Sequence, residues 1–376
     1  MSAFMPHLIL REVFTYISAE DSFMALSTLH SCMLVNHHWC SVAIKVFWFK
    51  PFRHRSPLLI HTLLYSLSSS ERDAITLVQD ISLPPISHKP YYDYPLYLRD
   101  LDYWAFTKSI KAYIARMTRL TTRDDDSTTL NGVRNRMRDA RKEYEDLCYV
   151  MSSEIIKMFI RKGVKLYYLR VLTWEDQLDT DEYLLLLKPE SHSLISSIRE
   201  LELASCYQKS IFLSTLAKIC CNIRSMHLTL ANWSSPEDDG KSEMLGLAEL
   251  VKAQKSLRRI QFWTFKHYGA NVEYVLDAIQ TQAESITEMG FYDVNFTATK
   301  SLDGIAACYN LEQLTFKGCD LNDNVASPLV RADFPRLNKV EVCPCHNNGL
   351  KEWAAWRNLN ISFRNRGNLS AGRTSR

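Results

Sequence analysis

The sequence predicts an α/β fold in which short strands and helices alternate and stack into a curved solenoid, preceded by a pair of N-terminal helices. One spacing, apolar-x-x-apolar-x-apolar, occurs six times in series in the second half of the chain. Segments with helical periodicity, such as 247–251 and 272–279, lie between these copies. Each copy offers a short strand with two inward apolar residues, so stacked neighbours bury what a single unit cannot.

The six copies are separated by nearly constant intervals. Their middle positions lie 25, 34, 29, 25 and 26 residues apart. A further match, Leu166/Leu169/Val171, precedes the series, and Val78/Ile81/Leu83 suggests an early unit and Trp356/Leu359/Ile361 a last one. Pro328 and Pro335 indicate that the last connection of the series is a loop rather than a full helix. The six middle residues are Leu201, Met226, Ile260, Met289, Leu314 and Val340.

This series resembles the leucine-rich repeat family, whose units have a similar length. In that family the position three residues after the strand's last apolar residue takes Asn or Cys, and here Cys206, Cys319 and Cys345 occupy it. The other three copies place Ala231, Phe265 and Val294 there, so the pattern is incomplete. The resemblance therefore implies an irregular horseshoe of leucine-rich repeats.

The N-terminal residues carry a second resemblance. Periodicity predicts helices over about 5–17 and 23–47, ended by Pro51. Their order and spacing resemble an F-box, with departures at Met5, Leu8 and His37. The matching residues are Met5-Pro6, Ile9-Leu10, Glu12-Val13-Phe14, Tyr16-Ile17, Leu29, Cys32, Leu34-Val35-Asn36, Trp39 and Val46-Phe47-Trp48 ahead of Pro51-Phe52.

The F-box resemblance implies docking onto the Skp adaptor and, through it, the cullin scaffold. Seven residues are expected to form an apolar surface that the adaptor covers, with Trp39 as its main anchor. The alternative is that these helices only cap the first repeat, as the ends of a solenoid require. The seven residues are Pro6, Leu8, Ile9, Val13, Leu34, Val35 and Trp39.

The predicted organisation has four parts. Residues 1–52 form the F-box, 53–165 a linker or early repeat with a helical insert, and 166–363 the leucine-rich repeats. The polar and basic residues 364–376 are expected to be a disordered tail. Within the second part, the acidic run 121–129 predicts an exposed loop and Val133–Phe159 a helix with one charged face.

Composition narrows the classes of function. The 376 residues carry a formal charge of only +3, which gives no reason to expect nucleic acid or an anionic membrane as partner. No apolar run approaches the length of a membrane-spanning helix, and no secretory signal is evident at the N-terminus. The ten scattered cysteines are then expected to be reduced thiols in the cytoplasm or nucleus.

No catalytic, metal or cofactor site is predicted. Cys343-Pro344-Cys345-His346 lacks a partner pair at zinc spacing, and the cluster of Cys32, His37, His38 and Cys40 matches no zinc signature. A glycine-rich phosphate loop, a GxSxG elbow and an HExxH motif are all absent from the sequence. The chain is therefore expected not to be an enzyme.

Strand alternation predicts a second binding surface. Since the apolar residues of each strand point inward, the residues between them face the concave side of the solenoid. Trp263 and Tyr292 come from successive units and should lie side by side on that face. The alternative is that an insert or the C-terminal tail covers both rings. The predicted substrate-binding residues are His227, Arg259, Trp263, Tyr292 and Lys317.

The two resemblances together imply one function. An F-box followed by leucine-rich repeats is an architecture of substrate receptors in SCF-type ubiquitin ligases, in which the F-box docks the adaptor and the repeats capture a substrate protein. The first alternative is a leucine-rich-repeat scaffold or inhibitor with no role in ubiquitin transfer. A second alternative is an enzyme with an unrecognised cysteine or metal site.

Overall fold

The computed structural model describes residues 6–20, 23–78, 83–85, 90–121, 130–172, 181–204, 209–230, 241–264, 272–321, 323–343 and 360–361. The α-helices are α1 His7–Ala19, α2 Phe23–Met33, α3 His37–Phe49, α4 Pro57–Leu64, α5 Ser69–Val78, α6 Tyr103–Thr121, α7 Leu130–Arg161, α8 His192–Ile195, α9 Lys209–Ile219, α10 Lys241–Lys252, α11 Glu273–Gln280, α12 Asp303–Ala306 and α13 Asp323–Arg331. The strands are β1 Asp100–Asp102, β2 Tyr168–Leu172, β3 Glu200–Ala204, β4 Ser225–Leu230, β5 Arg259–Thr264, β6 Glu288–Tyr292, β7 Gln313–Lys317, β8 Lys339–Cys343 and β9 Asn360–Ile361.

The chain divides into two compact units. The first is drawn from residues 1–170 and 180–197, and the second from 171–179 and 198–376. The first unit is mostly helical, whereas the second alternates strands with helices from β3 onward. The boundaries predicted at residues 52 and 165 stay predictions.

The strands form one all-parallel sheet whose order follows the chain from β1 to β9. Neighbouring strands of the second unit pair in register, so that Leu201 lies opposite Met226, and Met226 opposite Ile260. The helices between them pack against one another in sequence, α9 on α10, α10 on α11, α11 on α12 and α12 on α13. The second unit is therefore a continuous series of strand–helix connections.

This architecture corrects the predicted fold class. The α/β character is confirmed, but an irregular leucine-rich-repeat solenoid is wrong: the structure has a single parallel sheet with helical connections of unequal length. Between β3 and β8 these helices run to 11, 12, 8, 4 and 9 residues. The apolar-x-x-apolar-x-apolar spacing marks a strand with one buried face, and it carries no information on whether the connections repeat.

That buried face is what the spacing predicts correctly. Every middle and last apolar residue of the six copies is buried, while the residues between them are mostly half-buried or exposed. The upstream match is confirmed as well, because Leu169 and Val171 are buried in β2. Each of the strands β3 to β8 therefore has one face in the core and one face that is less buried.

The N-terminal helices differ from the prediction at Asn36. One helix was expected over 23–47, but α2 ends at Met33 and α3 begins at His37. The side chain of Asn36 accepts a hydrogen bond of 2.9 Å from the backbone N–H of Trp39 and so caps α3. Asparagine at this position satisfies an otherwise unpaired helical donor, which favours a new helix start over continuation of α2.

The region 53–165 contains more helix than predicted. The segments α4, α5 and α6 bury Leu59, Ile60, Ile75, Phe106 and Ile110, and α7 extends beyond the predicted 133–159. Their apolar residues are interrupted by aromatic and charged ones, which obscured the period. This helical region has a core of its own.

A capping box begins α5 and was missed in the sequence. The backbone N–H of Ser68 donates to Glu71 at 2.6 Å, and the N–H of Glu71 donates to the Ser68 hydroxyl at 3.3 Å. Glu71 also accepts two hydrogen bonds from Arg161, at 3.0 and 2.9 Å, which ties the start of α5 to the end of α7. The pattern Ser-x-x-Glu was the available signal.

These contacts predict a pH-dependent stability. Burial acts to raise the pKa of Glu71, but the hydrogen bonds from Arg161 and Ser68 outweigh it and hold that pKa below its ordinary value. The contribution of the ionised Glu71 carboxylate to the free energy of unfolding is then complete above its ordinary pKa of about 4.3. It is lost as the pH falls through the lower pKa of the folded state. We expect Glu71→Gln to cost about 1 kcal/mol near neutral pH, and urea denaturation should show this difference narrowing as the pH falls below the ordinary pKa of Glu71. A difference that does not narrow at acidic pH would contradict this assignment.

Two further predictions are wrong, and others lie outside the described residues. Val78 ends helix α5 instead of starting a strand, and the first strand is β1. Pro328 lies inside α13, so the last connection is helical. The loop was predicted over 121–129, but Thr121 ends α6. Residues 122–129 of that loop, residues 344–359 of the predicted last unit and the tail 364–376 are outside the described residues.

Candidate functional site

The open face of the sheet in the second unit carries the predicted binding residues. Strand alternation places there the residues that lie between the buried apolar ones. In β5 to β8 this face contains Arg259, Gln261, Trp263, Glu288, Gly290, Tyr292, Gln313, Thr315, Lys317, Lys339 and Glu341. We refer to these residues as the open face.

Two aromatic rings stack at the centre of the open face. Trp263 and Tyr292 are paired in the parallel register of β5 and β6. Their ring centroids lie 3.8 Å apart with an interplanar angle of 3°. Trp263 remains 43% exposed. The rings are neighbours as the register predicts, and Trp263 presents a large apolar surface.

Gly290 makes room for this stack, a role that the residue spacing does not indicate. A Cβ atom at residue 290 would lie 2.8 Å from Cε2 of Tyr292, so the phenol ring rests against the glycine backbone. Lys317 pairs with Tyr292 in the register of β6 and β7, and its Nζ lies 5.6 Å from the Tyr292 centroid, within the range of a cation–π interaction. Trp263, Tyr292 and Lys317 therefore follow one another across strands β5, β6 and β7, and we call this series the ladder.

Ion pairs surround the stack. Arg259 donates from Nε to Glu288 at 2.6 Å. Glu341 pairs with Lys317 at 2.6 Å and with Lys339 at 2.8 Å. Hydrogen bonds from these two lysines hold the pKa of Glu341 below its ordinary value, so it stays ionised at neutral pH. The charges of this part of the face are largely paired, which leaves the aromatic stack as its distinctive feature.

His227 does not join the ladder. It lies on β4, opposite Gln261 of β5 and Glu202 of β3, and is half-buried. Of the five predicted substrate-binding residues, the structure thus brings together Trp263, Tyr292 and Lys317. Arg259 lies on the same face beside Glu288.

The predicted adaptor surface lies on the first three helices. Six of its seven residues are exposed, including Leu8 at 70% and Leu34 at 74%. The same helices bury a separate cluster of Leu10, Phe14, Leu29, Val42 and Ala43. Because the core of these helices is already filled, the exposed apolar side chains are not needed to build it. Pro6, Leu8, Ile9, Val13, Leu34 and Val35 are the exposed members.

Trp39 is placed differently from the other six. It is half-buried against the helical cluster, with its ring 5.5 Å from that of Phe14 in an edge-on arrangement. Its indole therefore packs against the buried cluster and, by its exposed part, contributes to the predicted adaptor surface. Leu34 and Val35 lie in the turn that joins α2 to α3 and are 74% and 56% exposed.

The cysteines in the described part of the chain show no reactive arrangement. Burial raises the pKa of Cys220 and of Cys308 to about 12, so both are protonated thiols at neutral pH. Cys319 is buried and donates to the carbonyl of Phe291 at 3.3 Å, a structural contact near the end of β7. Among the described residues, no three His, Cys, Asp or Glu side chains are placed to hold a metal ion.

Comparisons with known proteins add no relatives. The sequence matches no family model, and neither the curated proteins nor the solved structures contain a match to it. Within the described ranges, no helix has the length and apolar character needed to cross a membrane.

Proposed function

We propose that this protein is a substrate-recognition subunit of an SCF-type, cullin-RING ubiquitin ligase. The N-terminal helices would dock the Skp adaptor, and the open face would hold a substrate protein. The chain itself would supply no catalytic group. Its contribution is proximity, because transfer to a lysine becomes effectively unimolecular once the substrate is held near the charged conjugating enzyme.

The observation that carries the proposal is the exposed apolar surface of α1 and the α2–α3 turn. A helix that buries Leu10 and Phe14 on one side and still exposes Leu8, Ile9 and Val13 on another is apolar over more than one face. Several large apolar side chains exposed on one short helix and a nearby turn are typical of protein interaction sites. Their positions are those at which the F-box resemblance expects adaptor contacts.

The second candidate is a scaffold or inhibitor that binds a protein through the open face and has no ubiquitin partner. The stacked pair Trp263 and Tyr292 favours protein binding in either case. The two candidates differ only in whether the Skp adaptor binds. In the ligase proposal the protein works in the cytoplasm or nucleus, where no nucleic acid or membrane partner is required.

Adaptor binding gives the decisive test. We expect the full chain, co-expressed with the Skp adaptor, to purify as a complex. Leu34→Asp combined with Val35→Asp should abolish that complex, because two carboxylates would be buried in an apolar interface without partners. Size-exclusion chromatography and calorimetric titration of the purified proteins would measure the loss.

A matched control separates this effect from damage to the fold. Leu58 and Leu77 are also exposed, and they lie on α4 and α5 away from the proposed interface. Leu58→Asp with Leu77→Asp adds the same charges and should leave adaptor binding unchanged. Failure of the unaltered chain to bind the adaptor would remove the ligase proposal and leave the scaffold.

A further inference from the structure

Three arginines of the second unit occupy the same position relative to three successive strands. Arg199, Arg224 and Arg258 each directly precede a strand, β3, β4 and β5 respectively. The backbone N–H of Arg224 donates to the carbonyl of Arg199 at 2.7 Å, and that of Arg258 to the carbonyl of Arg224 at 2.9 Å. The three residues are thus direct neighbours at the amino ends of the strands, and we call them the arginine row.

The arginine row concentrates positive charge. Neighbouring strands lie about 4.8 Å apart, so three guanidinium-bearing residues start within about 10 Å of one another. Like charges placed directly opposite on adjacent strands are destabilising. Arg224 and Arg258 are exposed and Arg199 is half-buried. Within the described part of the chain, none of the three side chains forms an ion pair or a hydrogen bond.

Other arginines of this chain at similar positions are satisfied locally. Arg99, which directly precedes β1, donates from Nη1 to the carbonyls of Leu96 at 2.9 Å and Leu98 at 2.6 Å. Arg259, the next residue after Arg258, pairs with Glu288. The arginine row therefore differs from the structural arginines in keeping its hydrogen-bond donors available.

The arginine row does not continue beyond β5. The positions that continue it before β6, β7 and β8 are Thr287, Glu312 and Asn338, joined by the same backbone hydrogen bonds. The basic edge is thus confined to β3, β4 and β5. A ligand that matches it is short and acidic.

We propose that the arginine row binds an acidic segment of a partner protein, rich in aspartate and glutamate. Carboxylates accept paired hydrogen bonds from guanidinium groups, and these charge-assisted bonds are stronger than neutral ones. An extended segment presents alternate side chains on one side about 6.6–7 Å apart, a spacing at which successive carboxylates reach different arginines of the row. The inference rests on the proposed function only in treating that segment as part of the substrate.

Peptide binding tests the proposal directly on the full-length protein. The probe is a short fluorescein-labelled peptide of alternating Glu and Ser, compared with its Gln–Ser counterpart by fluorescence anisotropy. We expect the Glu peptide to bind, more weakly as salt rises, and the Gln peptide not to bind. The triple variant Arg199→Gln, Arg224→Gln, Arg258→Gln should bind the Glu peptide at least about tenfold more weakly.

The control variant changes the same charge elsewhere in the second unit. Lys218, Lys252 and Arg331 are exposed on α9, α10 and α13, and their combined replacement by Gln should leave binding within about twofold of the unaltered chain. Equal losses in the two triple variants would overturn the proposal, since they would report general charge attraction.

Two further outcomes overturn it as well. One is no binding of the Glu peptide by the unaltered chain, and the other is tight binding only to a phosphoserine peptide or to a single-stranded oligonucleotide. Circular dichroism checks that the triple variant is folded. Adaptor binding is measured separately on the Leu34 and Val35 variant, so failure of the arginine row leaves the proposed function standing, and the reverse also holds.

Discussion

Phe291→Ala is expected to lower the free energy of unfolding of the second unit by about 3–5 kcal/mol. Phe291 is fully buried and stacks between Phe262 and Phe316, with centroid distances of 5.6 and 5.4 Å. Phe296 meets the same ring edge-on at 5.3 Å. Truncation removes the middle ring of this phenylalanine stack and leaves a cavity between Phe262 on β5, Phe316 on β7 and Phe296 in the connection after β6.

Thermal unfolding followed by circular dichroism measures this loss. For a unit of this size, each kcal/mol corresponds to about 2–4 °C, so a fall of about 6–20 °C in Tm is expected. Phe291→Leu keeps most of the volume and should cost clearly less. Tyr309→Ala, at an exposed aromatic in the same unit, should change stability by less than about 1 kcal/mol. Equal effects of the Ala substitutions at 291 and 309 would show that the buried phenylalanine stack does not stabilise the second unit.

The strands could be predicted because the alternation of buried and less buried residues depends only on the sequence of each strand. Burial of Leu314 and Phe316, which alternate with the half-buried Gln313, Thr315 and Lys317, follows from the two-residue period of a strand alone. The same local rule placed Trp263 beside Tyr292, once successive strands were assumed to pair. The α/β character of the second unit was therefore readable before the structure was known.

The helices between the strands were harder to predict from the sequence than the strands themselves. A strand of five residues looks the same whether a 12-residue helix or a four-residue helix follows it. The proline in α13 illustrates this limit, since Pro328 was expected to exclude a helix that the structure contains. Asn36 shows the reverse case, because its capping role divides a segment whose apolar residues suggested one helix.

The candidate site was predictable in its residues but not in its geometry. Nothing in the spacing showed that the absence of a side chain at Gly290 gives the Tyr292 ring its seat. The pairing of Glu341 with both Lys317 and Lys339 brings together residues from two strands and needs the register to be known. The arginine row likewise became visible only when backbone hydrogen bonds aligned three residues that are 25 and 34 positions apart in the chain.

Trp263→Ala combined with Tyr292→Ala is expected to remove substrate capture while leaving the fold and adaptor binding intact. The two rings form one stacked surface, and truncating aromatic residues at the centre of an interface commonly costs on the order of 2 kcal/mol each, which together amounts to a loss of several hundredfold or more. Neither ring belongs to the buried core of the second unit, so the stability of the protein should change little. Gly290→Ala is a second, milder variant. Its methyl group would displace the Tyr292 ring without removing either aromatic side chain.

The measurement is quantitative affinity purification of the full chain with proteasome inhibition, followed by mass spectrometry. We expect the double variant to recover the Skp adaptor at the unaltered level and to lose the other captured proteins, and Gly290→Ala to show an intermediate loss. Tyr309→Ala with Tyr274→Ala is the control, since both tyrosines lie outside the strands of the sheet. Retention of the full set of captured proteins by the double variant would exclude the open face as the substrate site. Because the adaptor contacts the other unit of the chain in our proposal, its unchanged recovery in the same experiment distinguishes loss of a binding surface from loss of the folded protein.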